Sequence, residues 1–571
     1  MVKLTVNGRV VEARDDATIL EAAASAGVTV PTLCHFEGIN EIGACRICVV
    51  EVKGEERLLA ACNTRVAEGM EILTDSPRVR TARKVNLQLI LSRHNCSCPT
   101  CLRNGNCALQ KLAEELNVHS QPYGLRIPAD RWDDAAPIRR DASKCIDCLR
   151  CVNVCDKVQS LGVWEFTGSG AHARVGVRQG LSLSDAGCAY CGQCVTHCPV
   201  GALTARDDTE EVYARIADPE TVTVVQIAPA VRSAWGEGLG LADSEATVGR
   251  MAAAAKALGA DYVFDTDFSA DLTIMEEGSE LLERVQKGGK LPMFTSCCPG
   301  WVRFVKTQFP ELCDHLSTAK SPQQMFGAVA KTYFANKLGI PPEKIYCISV
   351  MPCSAKKYEC AVPEVNATAR DVDAVLTTRE FVRMLRESHV PVASLEEIPF
   401  DAPLGTGSGA GVIFGATGGV MEAALRSAHF LLTGKNPEAD AFRAVRGEGS
   451  TGLRTVETVI AGKTVRAAVV SGLGEARRLC EDVLAGRAAY DFIEIMACPG
   501  GCAGGGGQPI REGEEPAAER GEKLYALDRA SGFRFSHENP DVLALYKEAL
   551  GEPLSHRAHE LLHTRVADWT L

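Results

Sequence analysis

The sequence predicts a multidomain chain, α+β in front and α/β behind, and three observations carry that expectation. A hairpin pattern with a short helix opens the chain, a doubled cysteine spacing occupies residues 145 to 198, and from residue 221 short β-rich runs alternate with helical stretches. With 571 residues, 46% of them hydrophobic, several cores can form without covalent staples. The 61 basic and 73 acidic residues leave a net charge of -12, which argues against a nucleic-acid surface and leaves soluble redox proteins or small molecules as partners. Residues 1 to 15 alternate charged and apolar positions, so no secretory peptide is expected and the chain is assigned to the cytoplasm. The longest uncharged run, Leu404 to Met421, is cut by glycines, so no membrane span is expected.

The 25 cysteines fall mostly at tight x2 and x3 spacings. In a compartment where disulfides are rare, such spacings bring sulfurs around metal clusters. Cys96, Cys313, Cys347, Cys360 and Cys480 stand outside any ligand spacing and read as buried thiols.

In chain order, Val2 to Val6, an Asn7-Gly8 turn and Arg9 to Glu12 read as a β-hairpin. Thr18 and Glu21 form a capping box for an alanine-rich helix that stops at Gly27. The loop beyond carries Cys34, Cys45, Cys48 and Cys62, separated by x10, x2 and x13. Four thiolates can hold a [2Fe-2S] cluster, and zinc is the competing metal. The hairpin-helix frame favours iron, and residues 1-78 resemble the β-grasp [2Fe-2S] ferredoxin-like domain of complex I.

Residues 79-120 begin with a helix over 79 to 93, whose apolar side includes Val85 and Leu89, and continue into His94-x3-Cys98-x2-Cys101-x5-Cys107. An imidazole with three thiolates is similar to the His/Cys3 [4Fe-4S] site of complex I-like subunits, with Cys96 as the rival ligand. Pro122, Pro128 and Pro137 mark 121-140 as a linker. Residues 141-206 hold Cys145-x2-Cys148-x2-Cys151-x3-Cys155 and Cys188-x2-Cys191-x2-Cys194-x3-Cys198, the two-cluster ferredoxin pattern in which the fourth cysteine serves the other cluster. Cys145, Cys148, Cys151 and Cys198 would hold one cube, and Cys155, Cys188, Cys191 and Cys194 the second.

In residues 207-571, the β-rich runs are Val222 to Ile227, Tyr262 to Phe264, Ile345 to Val350, Ala374 to Leu376 and Phe492 to Ile495. Helices are expected at Thr247 to Leu258, Pro322 to Asn336 and Gly418 to Leu432. The glycine-rich stretch Gly405 to Gly411 lacks the strand-loop-helix frame of a dinucleotide site and reads as close packing near a cluster. Three further blocks carry cysteines: Thr295-Ser296-Cys297-Cys298-Pro299-Gly300-Trp301, Met351-Pro352-Cys353-Ser354-Ala355-Lys356, and Met496-Ala497-Cys498-Pro499-Gly500-Gly501-Cys502. Adjacent side chains of an extended backbone point to opposite faces, so only one of the paired cysteines in the first block can serve one centre. With one thiolate from each of the first two blocks and two from the third, a [4Fe-4S] cube is complete.

These three blocks resemble the signatures of the [FeFe] hydrogenases, and the resemblance extends over the whole chain. It implies a two-lobed α/β catalytic domain with an H-cluster between the lobes. Cys298, Cys353, Cys498 and Cys502 would hold its cube, with the Cys502 sulfur bridging to a diiron subsite that carries CO, cyanide and an azadithiolate. Lys356 would meet one cyanide and the backbone of Ala228-Pro229 the other; Ala230 stands where some relatives have serine. Cys297 would be the free thiol at the open iron, with an ordinary thiol pKa, followed outward by Glu277, Ser317 and Glu280 as the proton path. Glu359 would order the loop around Lys356, while Met351 and Met496 pack on the subsite.

The resemblance therefore implies one [2Fe-2S] cluster, three accessory [4Fe-4S] clusters, the H-cluster, and protons and H2 as substrates. The front resembles the hydrogenase subunit of multimeric NAD(P)-linked and electron-bifurcating enzymes, which implies flavin/NAD(P)-binding and thioredoxin-like [2Fe-2S] partner subunits. A stand-alone enzyme fed by ferredoxin is the second reading. Iron-sulfur assembly relatives share the fold but lack the pocket formed by Cys297, Lys356 and Glu359.

Overall fold

The structure, a computed structural model, describes residues 1–129, 132–447, 452–460 and 462–570. The opening hairpin forms as the sequence indicates. Val2–Val6 and Arg9–Ala13 pair antiparallel around Asn7 and Gly8, which adopt φ of 49° and 80° as the tight turn requires. Glu71–Leu73, Val49–Val52 and Leu59–Ala60 extend this pair into a five-stranded sheet. Thr18 and Glu21 cap the helix Ile19–Ser25 reciprocally, and its buried face of Ile19, Ala22 and Ala23 closes a core with Leu4, Val6 and Val50.

The next helix, Pro77–Leu91, buries Val79, Arg83 and Leu87. This corrects the expected face: Val85 and Leu89 are 36% and 46% exposed. Arg83 decides the orientation, because its guanidinium donates to the carbonyls of Ile47 at 3.0 Å and Val49 at 2.9 Å and so draws that stripe onto the first sheet. In the expected linker, Ile138–Arg140 is a strand paired with Leu203–Ala205, while Asp130 and Arg131 lie outside the described residues. The doubled cysteine spacing returns as doubled backbone geometry. Asp147 and Leu149 have φ of 52° and 64°, Tyr190 and Gly192 have 53° and 75°, and a short helix follows each pair.

Two four-stranded sheets follow. Tyr262–Asp265, Val222–Ile227, Ile345–Met351 and Ala374–Thr377 form one, with every pairing parallel. Met293–Phe294, Phe492–Met496, Lys463–Ser471 and Gly452–Ile460 form the other, in which the last pair is an antiparallel hairpin. That hairpin was not foreseen; its outer strand alternates half-buried and exposed positions and carries Arg454 and Glu457, so it lacks the apolar run of a buried strand. The 22-residue helix Thr266–Lys287 is buried over most of its length and packs on Pro322–Val329, Gly409–Ile413 and Gly419–Thr433. Two glycines of the glycine-rich stretch make room for this helix: a Cβ on Gly407 would lie 2.2 Å from the Asp267 Cβ, and one on Gly411 would lie 2.7 Å from the Asp267 carbonyl oxygen. A continuous apolar core runs from Leu33 and Leu87 through Trp164 and Val195 to Trp301 and Ile493, seating the front of the chain on the second sheet.

Candidate functional site

The cysteines of the three back-half blocks meet at strand ends. Cys353 follows Ile345–Met351 of the first sheet, and Cys498 follows Phe492–Met496 of the second. Cys298 precedes the helix Pro299–Gln308, and Cys502 lies on the turn Gly501–Gly504. Ligand sites at the carboxyl ends of strands are the rule in open α/β sheets. Cys297, Cys298, Cys353 and Cys502 line one cavity with Ala228, Pro229, Ala230, Met351, Lys356, Phe414 and Met496.

Burial pushes all four expected ligand thiols up, Cys353 to about 12, and the neighbouring thiols add to the effect at Cys353, Cys498 and Cys502. Four crowded thiols that resist losing a proton are a donor set that bound metal, supplying positive charge, can turn anionic; this fits a cube. Glycine backbone makes the close approach possible. A Cβ on Gly505 would sit 2.1 Å from the Pro352 carbonyl oxygen, and one on Gly506 would sit 2.3 Å from that of Cys191.

Lys356 lies inside the cavity wall. Its Nζ donates to Glu359 Oε2 at 2.7 Å and to the Cys297 carbonyl at 3.1 Å. Burial opposes the ammonium charge, but Glu359 and the nearby thiols outweigh it, so its pKa rises and Lys356 remains a cation. Glu359 is held in turn by Ser321 Oγ at 2.9 Å and Gln323 Nε2 at 3.3 Å. Gln323, Ser321 and Gln508 were not singled out from the sequence. Gln323 lines the cavity with its buried Oε1 unpartnered among the described residues, and Gln508 Nε2 fixes the Ala230 carbonyl at 2.8 Å. A glutamine at a helix start, as Gln323 is, or in a loop, as Gln508 is, carries no spacing signature, so only the fold reveals them.

Cys297 is buried beside this pair. Its thiol departs from the expected ordinary value: burial, then the Glu277 charge, pushes it well up, so Cys297 rests as a protonated donor. Glu277 is fully buried, and burial followed by the Glu280 charge raises its carboxyl to about 8. Neither Glu277 oxygen meets a hydrogen-bond partner among the described residues. Farther out, Ser317 Oγ donates to Glu280 Oε2 at 2.9 Å, and Arg284 pairs with Glu280 at 2.6 Å. Neighbouring Glu276 is a tie of another kind, accepting from Leu554 N at 2.9 Å, from Tyr546 and from His563.

In the front, Cys145, Cys148, Cys151 and Cys198 line one cavity. Cys194 is pushed up by burial, then by Cys191, Cys188 and Cys155, which places those four together. Cys48 Sγ and Cys62 Sγ stand 3.4 Å apart, and the Cys45 amide lies 3.5 Å from Cys34 Sγ. His94 Nδ1 meets the Lys144 carbonyl at 3.0 Å, which assigns the proton to Nδ1 and leaves Nε2 for a metal. Cys96 is exposed, contrary to the buried thiol expected, and its Sγ lies 3.5 Å from the His94 carbonyl. Cys498 Sγ lies 3.7 Å from the Cys191 carbonyl, which brings the second ferredoxin-like set against the cavity thiols.

Comparison with known proteins agrees with this geometry. The family model for the iron-only hydrogenase large subunit, C-terminal domain, matches residues 221–506. Ahead of it, a 2Fe-2S iron-sulfur cluster binding domain matches 1–77, the iron-sulfur binding region of NADH-ubiquinone oxidoreductase G matches 83–122, and a 4Fe-4S dicluster domain matches 138–202. The chain belongs to the iron-only, or [FeFe], hydrogenases: it is a hydrogenase with iron-sulfur domains joined to an H-cluster domain. Among its relatives, the NADP-reducing hydrogenase subunit HndD of Solidesulfovibrio fructosivorans is 47% identical over 99% of this chain and 98% of that protein. Iron hydrogenase 1 of Clostridium pasteurianum is 37% identical over 99% of both chains. A variant of the apo [FeFe]-hydrogenase HydA1 from Chlamydomonas reinhardtii aligns with a TM-score of 0.56 and 42% identity over 63% of this chain and 98% of that one. An iron hydrogenase small subunit model also matches residues 514–567. The sequence reading did not separate that segment, which carries no cysteine to mark it.

Proposed function

We propose that this chain interconverts protons and H2 as the hydrogenase subunit of an NAD(P)-linked complex. The observation that carries the reading is the buried Cys297 thiol beside the Lys356–Glu359 pair in a cavity lined by clustered thiols. When bound, an H-cluster supplies the metal centre at which two protons and two electrons are joined or separated.

The chain's residues then divide the work. Cys298, Cys353, Cys498 and Cys502 would hold the cube, and Cys502 would also anchor the diiron subsite. Lys356 would offer a cation to one anionic ligand of the subsite in a largely apolar cavity, where the interaction exceeds its value in water, and the backbone at Ala228-Pro229 would meet another. Met351 and Met496 supply apolar wall, which excludes water. Cys297 passes and retakes protons, with Glu277, Ser317 and Glu280 carrying them outward; the Ser317–Glu280 bond and the raised Glu277 carboxyl support that order. We assign one [2Fe-2S] cluster to Cys34, Cys45, Cys48 and Cys62, and one cube to His94, Cys98, Cys101 and Cys107. Two further cubes go to Cys145, Cys148, Cys151 and Cys198, and to Cys155, Cys188, Cys191 and Cys194.

The domain division follows these sites: a β-grasp domain 1-78, a His/Cys3 domain 79-120, a linker 121-140 whose last three residues pair as a strand with the next domain, a two-cluster domain 141-206 and a two-lobed catalytic domain 207-571. The name of the 47% identical relative, an NADP-reducing hydrogenase subunit, supports a multisubunit complex; as its members we propose flavin/NAD(P)-binding and thioredoxin-like [2Fe-2S] subunits, or ferredoxin, exchanging electrons with the front of this chain. We keep the cytoplasmic assignment; among the described residues no helix is long and apolar enough to cross a membrane. The infrared spectrum of the matured protein tests the assignment of function. CO and cyanide stretching bands are expected, and a fully iron-loaded chain without them would overturn it.

A further inference from the structure

The two front cysteine sites converge on one set of thiols. Asn40 Nδ2 donates to the carbonyls of Cys34 at 2.6 Å and Cys148 at 3.0 Å, and Arg150 Nε donates to the Cys34 carbonyl at 3.2 Å. From the other side, His94 meets the Lys144 carbonyl at 3.0 Å, one residue before Cys145. A Cβ on Gly201 would lie 2.7 Å from Cys101 Sγ, three residues beyond Cys198. The Cys145 set is therefore a junction. Cys148, Cys151 and Cys198 are buried, whereas Cys145 is half-buried and forms part of the lining of an open cleft.

That cleft is basic. Among the described residues, Arg93, Arg126, Arg140 and Arg174 line it against one carboxylate, Asp147, in a chain of net charge -12. Arg93 is spent on Asp147 at 3.1 Å and on the Ala173 carbonyl at 2.8 Å, and Arg140 is buried on the Val175 carbonyl. Arg126 and Arg174 are exposed and carry no side-chain ion pair among the described residues. The two exposed arginines come from separate chain segments and line the cleft together with Ile127 and Pro128. Exposed charges of this kind steer a charged protein surface rather than enclose a small anion.

We infer that this cleft is an electron entry port of its own, docking a small acidic one-electron carrier protein directly over the junction thiols and bypassing both front sites. The inference rests on the cluster assignment proposed above. In each encounter one electron leaves the reduced carrier and one is gained at the Cys145 site; no bond is made or broken.

The test compares three matured chains: wild type, Arg126→Glu/Arg174→Glu, and Arg126→Lys/Arg174→Lys. Each is assayed for hydrogen evolution from a reduced acidic two-cluster ferredoxin and from reduced methyl viologen. In the glutamate variant the KM for ferredoxin should rise roughly tenfold or more. In the lysine variant it should stay near wild type, and the wild-type KM should itself climb with ionic strength. Viologen rates should be alike in all three. An unchanged ferredoxin KM in the glutamate variant overturns the port while leaving the hydrogenase reading intact; absent viologen activity in wild type strikes the hydrogenase reading instead. Saturable binding of inorganic phosphate that the glutamate variant loses, with ferredoxin kinetics unmoved, overturns protein docking in favour of a small-anion site.

Discussion

Glu277→Gln isolates the inner step of the proposed proton route. The substitution keeps the shape and polarity of the side chain and removes only its exchangeable carboxyl proton. Glu277 is fully buried and stands between Cys297 and Ser317 in the proposed route, so the substitution interrupts the route between those two. Its carboxyl sits at about 8, close to working pH, where a group that must both accept and release a proton is most effective. Losing such a relay costs about 100- to 10,000-fold in rate, or about 3–5 kcal/mol of barrier.

The sign of the pH dependence follows from the same shift. Below about 8 Glu277 holds its proton and can pass it inward, so wild-type hydrogen evolution should fall as pH rises through that value. Hydrogen oxidation, which needs the empty carboxylate, should gain over the same interval. The assay is viologen-linked hydrogen evolution and uptake across pH, on protein whose infrared bands show the active site loaded. A glutamine variant within about threefold of wild type, with intact bands, would refute the route, since it falls far short of the loss expected of a missing relay.

Cys297→Ala should lower activity by at least about 100-fold with iron content and infrared bands preserved, because the four expected ligands are other residues; near wild-type turnover would exclude the thiol as inner donor. Lys356→Met leaves the Glu359 carboxylate buried without its cation, a loss of about 3–5 kcal/mol locally, and should yield protein that keeps its cubes yet binds the diiron subsite poorly, read as weakened infrared bands at near-normal labile sulfide. Complete maturation should plateau at about 20 irons per chain for the clusters proposed. A plateau near ~12 would remove two of the cubes, at four irons each. The isolated chain should turn over hydrogen with viologen but hardly with NADH or NADPH; robust nicotinamide turnover without a companion subunit would contradict the complex.

What the sequence made legible is what covalent spacing and local rules determine. The Asn7-Gly8 hairpin, the Thr18–Glu21 box and the doubled cysteine run need only neighbours in the chain, and each stands in the structure where the pattern put it. Tertiary context decided the rest. The helix Pro77–Leu91 turned its face because a buried arginine found two carbonyls, an outcome that apolar periodicity does not register. Glu277 and Glu280 carry the spacing of an ordinary solvated face, and only a helix enclosed on several sides makes the first of them a carboxyl near 8. Gln323 and Gln508 are silent for the same reason: their amides matter through what a cavity places beside them. Cys297 shows the division within one residue. Its adjacency to Cys298 showed that one of the two thiols cannot share the centre and the family resemblance gave that role to Cys297, but its protonation had to come from burial and the Glu277 charge, which join the second sheet's first strand end to the long helix across the core.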